Sequence, residues 1–166
     1  MSDVTAANHV EFQTADRIVM IAYLDPKDAA SIATFSAFAD VHRDDYLFGI
    51  SYDSAAAAKV AAPAVVLYKS FDEGRNDFTA PFTAAALADF AKEHSVPLLD
   101  EISPDNFAMY SEAGLPLAYI FVEASNPERE AITKAIEPVA RQHKGKLNFV
   151  WIDATKVRFS YQFEFA

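Results

Sequence analysis

The 166-residue chain carries 24 acidic and 14 basic residues, a formal net charge of −10, 52% hydrophobic and 13% aromatic content, and no cysteine. Packed cores are expected rather than disorder, and the negative field argues against nucleic-acid binding. Without a thiol the chain has no thiol–disulfide exchange, no disulfide and no Cys-based zinc site.

The apolar runs are strand-sized, so no membrane-crossing helix is expected, and residues 1–12 lack the basic start and apolar run of a secretory signal. Val4–Phe12 reads as a short opening helix with Asp3 or Thr5 as its cap. Ile18–Tyr23 is apolar at consecutive positions, the pattern of a parallel strand covered on both faces. Asp25-Pro26 breaks the extended chain, and Asp28 can accept hydrogen bonds from the free amides of the next helix. That helix runs to His42, with Ile32, Phe35, Phe38, Ala39 and Val41 as its buried stripe. Tyr46–Tyr52 is the next strand and Ser54–Val60 a short alanine-rich helix. Pro63 then leads the apolar strand Ala64–Tyr68, and a cis Ala62–Pro63 bond fits that position. A turn at Asp72–Arg75, a short strand near Asn76–Phe78 and a helix over Phe82–Glu93 complete a first module, α-β-α-β-α-β-β-α, spanning residues 1–95.

Ser95-Val96-Pro97 joins the modules tightly, and residues 96–166 form the second. Leu98–Ile102 reads as a strand, Ser103 and Pro104 start a helix, and Gly114 stops it. Leu117–Val122 is expected to be the central strand of this module. Ile132, Ile136 and Val139 stripe the following helix, which Pro138 should kink, and Leu147–Ile152 returns as a strand. The chain thus writes one strand–helix–strand phrase twice, first over Arg17–Tyr52 and again over Leu115–Asp153. Val157, Phe159, Tyr161, Phe163 and Phe165 then alternate with Arg158, Ser160, Gln162 and Glu164, the period-two signature of an edge strand with one wet face. Such an aromatic edge favours pairing, so self-association through residues 157–165 is expected. Compared with the first module, the second is incomplete.

No enzyme motif stands out. His9, His42, His94 and His143 are scattered, without metal-ligand spacing; His42 and His143 occupy matching helix ends, where an imidazolium suits the negative terminus. The four glycines form no phosphate loop, and Asp44-Asp45 and Asp100-Glu101 sit at element boundaries as solvated charge. Neither a catalytic residue nor a metal or cofactor site is expected. Ile120, Val122, Ile136 and Val150 have two readings. They are core packing, or they are the floor of a shallow groove that accepts apolar side chains of an unfolded peptide.

The order of these motifs resembles the middle of a protein disulfide isomerase, particularly a fungal one. The phrases that carry the likeness include Val4–Phe12, His42–Gly49, Pro63–Tyr68, Phe71–Arg75, Ser95–Pro104 and Phe149–Ala154. Together they cover about residues 3–156. The resemblance implies thioredoxin-like α/β architecture, a mixed central sheet flanked by helices, with a b-type domain followed by the first part of b′. It implies that Pro26-Lys27-Asp28-Ala29-Ala30 stands where the outer domains carry their redox thiols. It also implies an endoplasmic-reticulum parent, neighbouring redox-active thioredoxin domains and unfolded or misfolded polypeptide clients. By the same resemblance Ile120, Val122, Ile136 and Val150 fall on the hydrophobic positions of the peptide groove. The alternative role is a structural spacer that orients neighbouring redox domains.

Overall fold

The structure, a computed structural model, describes residues 1–53 and 55–156. The chain divides into two compact units, Met1–Val96 and Pro97–Ala166. The aromatic alternation over 157–165 lies outside the described residues.

Unit 1 begins with β1 (Ser2–Asp3), α1 (His9–Phe12), β2 (Ile18–Tyr23) and α2 (Ala29–Val41). It continues through β3 (Leu47–Ser51), α3 (Ala55–Ala58), β4 (Ala64–Lys69), β5 (Arg75–Asp77) and α4 (Ala84–Ser95). The sheet is mixed, in the order β1-β3-β2-β4-β5, with β3 parallel to β2 and β4 antiparallel to it. Every residue of β2 and of β4 is buried, because successive side chains alternate between two covered faces. On one face Met20, Ala22, Phe48, Val65 and Leu67 pack with Phe35 and Phe38 of α2 and Leu87 of α4. On the other, Val19, Ile21, Tyr23, Val66 and Tyr68 pack with Val4, Ala58 and Phe12. Each side chain moved fully out of water contributes roughly 1.5–3 kcal/mol, so this two-sided burial dominates the stability of the unit.

Four details differ from the sequence expectations. Ser2–Asp3 forms a strand parallel to β3, with the Val4 N–H donating to Ile50 at 2.8 Å, and the opening helix is confined to His9–Phe12. Neither Asp3 nor Thr5 caps that helix; Asn8 stands at its N-cap, its side-chain oxygen accepting from the Thr5 N–H at 2.7 Å. Val41 ends the α2 stripe on the outside, 76% exposed. Helix α4 starts at Ala84 because the Thr83 hydroxyl accepts from the Ala86 N–H at 3.2 Å. The Ala62–Pro63 bond is cis.

Unit 2 contains β6 (Leu99–Glu101), α5 (Pro104–Ala113), β7 (Leu117–Val122), α6 (Arg129–Gln142) and β8 (Asn148–Asp153). Helix α5 opens on a reciprocal cap between Ser103 and Asn106 with Pro104 in its first turn, and closes on Gly114 at φ 67°. Helix α6 runs through Pro138, which leaves the Lys134 carbonyl without its usual amide donor. Its buried contact is Ala140, whereas Val139 points outward. The described strands are all parallel, in the order β6-β8-β7. The strand expected at the centre, β7, therefore lies at an edge of the described sheet and is only partly buried. The centre is β8.

Candidate functional site

At the start of α2, where the resemblance would put a redox pair, the side chains form a carboxylate cap. Asp28 Oδ1 accepts from the Ser31 N–H at 3.1 Å, and Asp25 Oδ1 accepts from the Lys27 N–H at 2.8 Å. Hydrogen bonds from the Ser31 side chain and backbone lower the Asp28 pKa. Tyr23, at the end of β2, pairs with Ala64, directly after the cis proline. The local frame is thus a strand end, a helix start and a cis proline, with a negative oxygen acceptor at the helix start and no nucleophilic sulfur.

Two polar groups inside unit 1 were not singled out from the sequence. His9 Nε2 lies 2.6 Å from the Tyr23 hydroxyl, which lies 3.0 Å from the Tyr68 hydroxyl, all three side chains being buried. Burial lowers the His9 pKa, with a further lowering from the Arg75 charge, and burial raises both tyrosines. At the end of β4, Lys69 has a fully buried side chain whose ammonium donates to Glu73 at 3.0 Å and to the His94 carbonyl at 3.2 Å. Burial acts to raise the Glu73 pKa, but hydrogen bonds from Lys69, its own backbone and Asn76 hold it at about 2. The first motif joins residues distant in sequence, so spacing carried no signal for it; in the second, Lys69 and Glu73 stand four residues apart and His94 is the distant member. His42 and His143 do stand at the C-caps of α2 and α6.

The apolar candidates lie in unit 2. Ile120 of β7 and Ile136 of α6 are half-buried and pack on one cluster with Phe149, Leu98 and Ala140. Val122 shares the parity of Ile120 and is buried, as is Trp151, the cross-strand partner of Ile120. The Arg129 guanidinium covers Trp151 at 5.0 Å, which fixes the first turn of α6 over this face. Val150 is placed differently. It pairs with Tyr119, so it belongs to the opposite face of the sheet and is fully buried. On that face Tyr110 and Asn106 of α5 donate to Asp100 Oδ2 at 3.2 and 3.3 Å, next to Val150 in the ladder. The structure therefore brings Ile120 and Ile136 onto one cluster, keeps Val122 on the Ile120 face of β7, and places Val150 on the opposite face. Tyr119 and Phe121, 44% and 61% exposed, complete the apolar surface of β7 on the Val150 side. Their alternation with Ala118, Ile120 and Val122 was the available signal, hidden because every residue of the run is apolar.

A thioredoxin-like domain family matches residues 24–165, and the chain belongs to that family. Over 93% of its length it is 44% identical to the protein disulfide-isomerase of Humicola insolens, and 40% identical to that of Aspergillus oryzae. It spans 31% and 30% of those two proteins, so it corresponds to a segment of a protein disulfide-isomerase. Among solved structures it is similar to the bb fragment of ERp72 with a TM-score of 0.70 at 17% identity, over 97% of this chain and 77% of the other. Human ERp44 (form II) matches with a TM-score of 0.63 at 18% identity, over 95% of this chain and 44% of that one. These two likenesses show the fold.

Proposed function

We propose that the chain is a non-catalytic, client-binding segment of a protein disulfide isomerase of the endoplasmic-reticulum lumen. Unfolded polypeptides bind reversibly through their apolar side chains, with no covalent step, while redox chemistry belongs to neighbouring thioredoxin domains of the parent. The observation that carries this reading is the pairing of half-buried Ile120 and Ile136 over the apolar cluster of unit 2. Their partial exposure on a strand and a helix gives a client side chain access to that apolar cluster. Val122 forms the lower part of the groove floor, and Val150 acts from behind it by holding β8. Each client leucine or phenylalanine fully buried there contributes roughly 1.5–3 kcal/mol before ordering costs, so binding is weak and suits release.

Trp151, the only tryptophan and the cross-strand partner of Ile120, reports on this floor. Titrating the full chain with an unfolded apolar peptide is expected to change its fluorescence saturably, and Ile136→Asp is expected to weaken binding at least about fivefold, the loss of one apolar contact. The alternative role, a spacer that orients the redox domains, predicts that neither chain responds to peptide.

A further inference from the structure

Residues 1–16 lie over one face of the unit 1 sheet as a strap with few attachments. Their backbone adds the short strand β1 to β3, extended by the Val4 N–H donating to Ile50 at 2.8 Å. Within the strap only Val4 and His9 are buried; Asn8, Phe12 and Gln13 are half-buried and the rest is exposed. Val4 and Phe12 belong to the apolar cluster of Ile21, Tyr23, Val66 and Tyr68 and come up against Gly49 of β3. One of the two buried anchors is thus apolar, and the other titrates.

The surroundings of the His9 ring suit its neutral form. Nε2 meets the Tyr23 hydroxyl of β2, and the Tyr68 hydroxyl of β4 continues the chain. The Gln13 amide nitrogen lies 3.2 Å from Nδ1, and Gln13 also reaches the Tyr68 hydroxyl. A neutral ring accepts from Gln13 at Nδ1 and donates to Tyr23 from Nε2. A protonated ring carries a proton on both nitrogens, so Nδ1 then confronts a donor. The charged groups around the ring do not reverse this. Arg75 of β5 disfavours a second positive charge, and the opposing pull of Asp53, after β3, is the smaller. Asp77 of β5 is engaged by Arg75 at 2.6 Å, and Glu11, on the helix of His9 itself, is exposed.

We infer that His9 is an acid-sensitive latch: protonation of its ring releases the strap of residues 1–16 from the sheet while β2, β3 and β4 stay paired. Release restores to the ring the water that burial denies it. The break falls at the strap because β1 pairs over two residues, whereas β2 and β4 pair over six and are buried along their whole length. The face uncovered is that of Ile21, Gly49 and Tyr68, so pH decides whether this apolar side of the sheet is covered or open. A ring in water takes up a proton near its ordinary pKa. Each pH unit below about 6.5 therefore raises the opening constant by up to about tenfold, until the buried ring also binds a proton. The latch lies in unit 1 and the proposed client site in unit 2, so the inference stands or falls independently of client binding.

Amide exchange of the full chain between pH 7 and 5, each rate corrected for the exchange of an unstructured amide, tests it. Protection is expected to fall at least about fivefold at Val4, Phe12 and Gln13, whose N–H groups bond Ile50, Asn8 and His9. At pH 5 these amides are expected to be at least about tenfold less protected than those of Ile21 and Val66. In His9→Gln the pH dependence at the strap is expected to vanish. Protection at the three amides that does not change with pH overturns the inference. So does exchange of the strap only together with Ile21 and Val66, or a pH dependence that survives in His9→Gln. If the variant fails to fold, the titration of the His9 ring in the parent chain, followed at its Hε1 resonance, decides. A midpoint below that of a histidine in the unfolded chain supports the latch, and one at or above it overturns it.

Discussion

The Tyr23 hydroxyl lies 2.6 Å from Nε2 of His9 and 3.0 Å from the Tyr68 hydroxyl, a buried polar chain across one face of the unit 1 sheet. It ties α1 to the strands beneath it. His9 is the member that titrates in an accessible range. Burial lowers its pKa below the ordinary 6.5, so the folded protein binds fewer protons there than the unfolded chain. Stability is therefore independent of this group above about pH 6.5 and falls as pH drops below that value, until the folded pKa is passed. Thermal melts of the parent chain and His9→Gln between pH 5 and 7 check this. The decline is expected in the parent and is expected to be shallower in the variant.

Lys69 and Glu73 act in the opposite charge sense. The carboxyl is held at about 2, so its stabilising contribution is present above its ordinary 4.5 and is lost as pH falls toward 2. Glu73→Gln keeps an amide oxygen within reach of the Lys69 ammonium but removes the negative charge beside a fully buried cation. A loss of roughly 2–4 kcal/mol is expected in urea denaturation at neutral pH, because an uncompensated buried charge costs more than the pair contributes. Combining Lys69→Met with Glu73→Gln is expected to cost less than the sum of the two single changes.

Gly49 gives β1 its place. A Cβ added there would lie 2.5 Å from Val4 Cγ2 and 2.7 Å from Phe12 Cε1, inside contact distance of two side chains that cover β3. Gly49→Ala is expected to destabilise unit 1 by about 1–3 kcal/mol, the usual range for overpacking. Amide exchange should show the loss first at Val4, whose N–H bonds Ile50, and later at β2.

Much of unit 1 could be read from residue order because its signals are local. The uninterrupted apolar runs of β2 and β4, the Asp28 cap and the histidine closing α2 each sit within a few residues of their effect. What escaped depends on distant partners. Ser2–Asp3 has no apolar signal, and it becomes a strand only because Val4 enters the space that Gly49 leaves open. Val41 and Val139 fit a helical stripe, yet among the described residues nothing packs over them closely enough to bury them. For the candidate site, period-two parity separated Val150 from Trp151 within β8. Parity within a strand says nothing of the register between strands, and that register places Tyr119 rather than Ile120 beside Val150. The position of β7 at the edge of the described strands is likewise a property of pairing, which hydropathy along one strand does not encode.

Client binding through Ile120 and Ile136 is the central claim, and a residue-resolved NMR titration of the full chain with an unfolded apolar peptide tests it most directly. The account predicts saturable shifts at Ile120, Val122, Ile136 and Trp151, with the unit 1 core at Ile21 and Val66 unmoved. Signals around Ile120 and Ile136 that stay fixed at millimolar peptide would contradict it and leave the spacer role in its place.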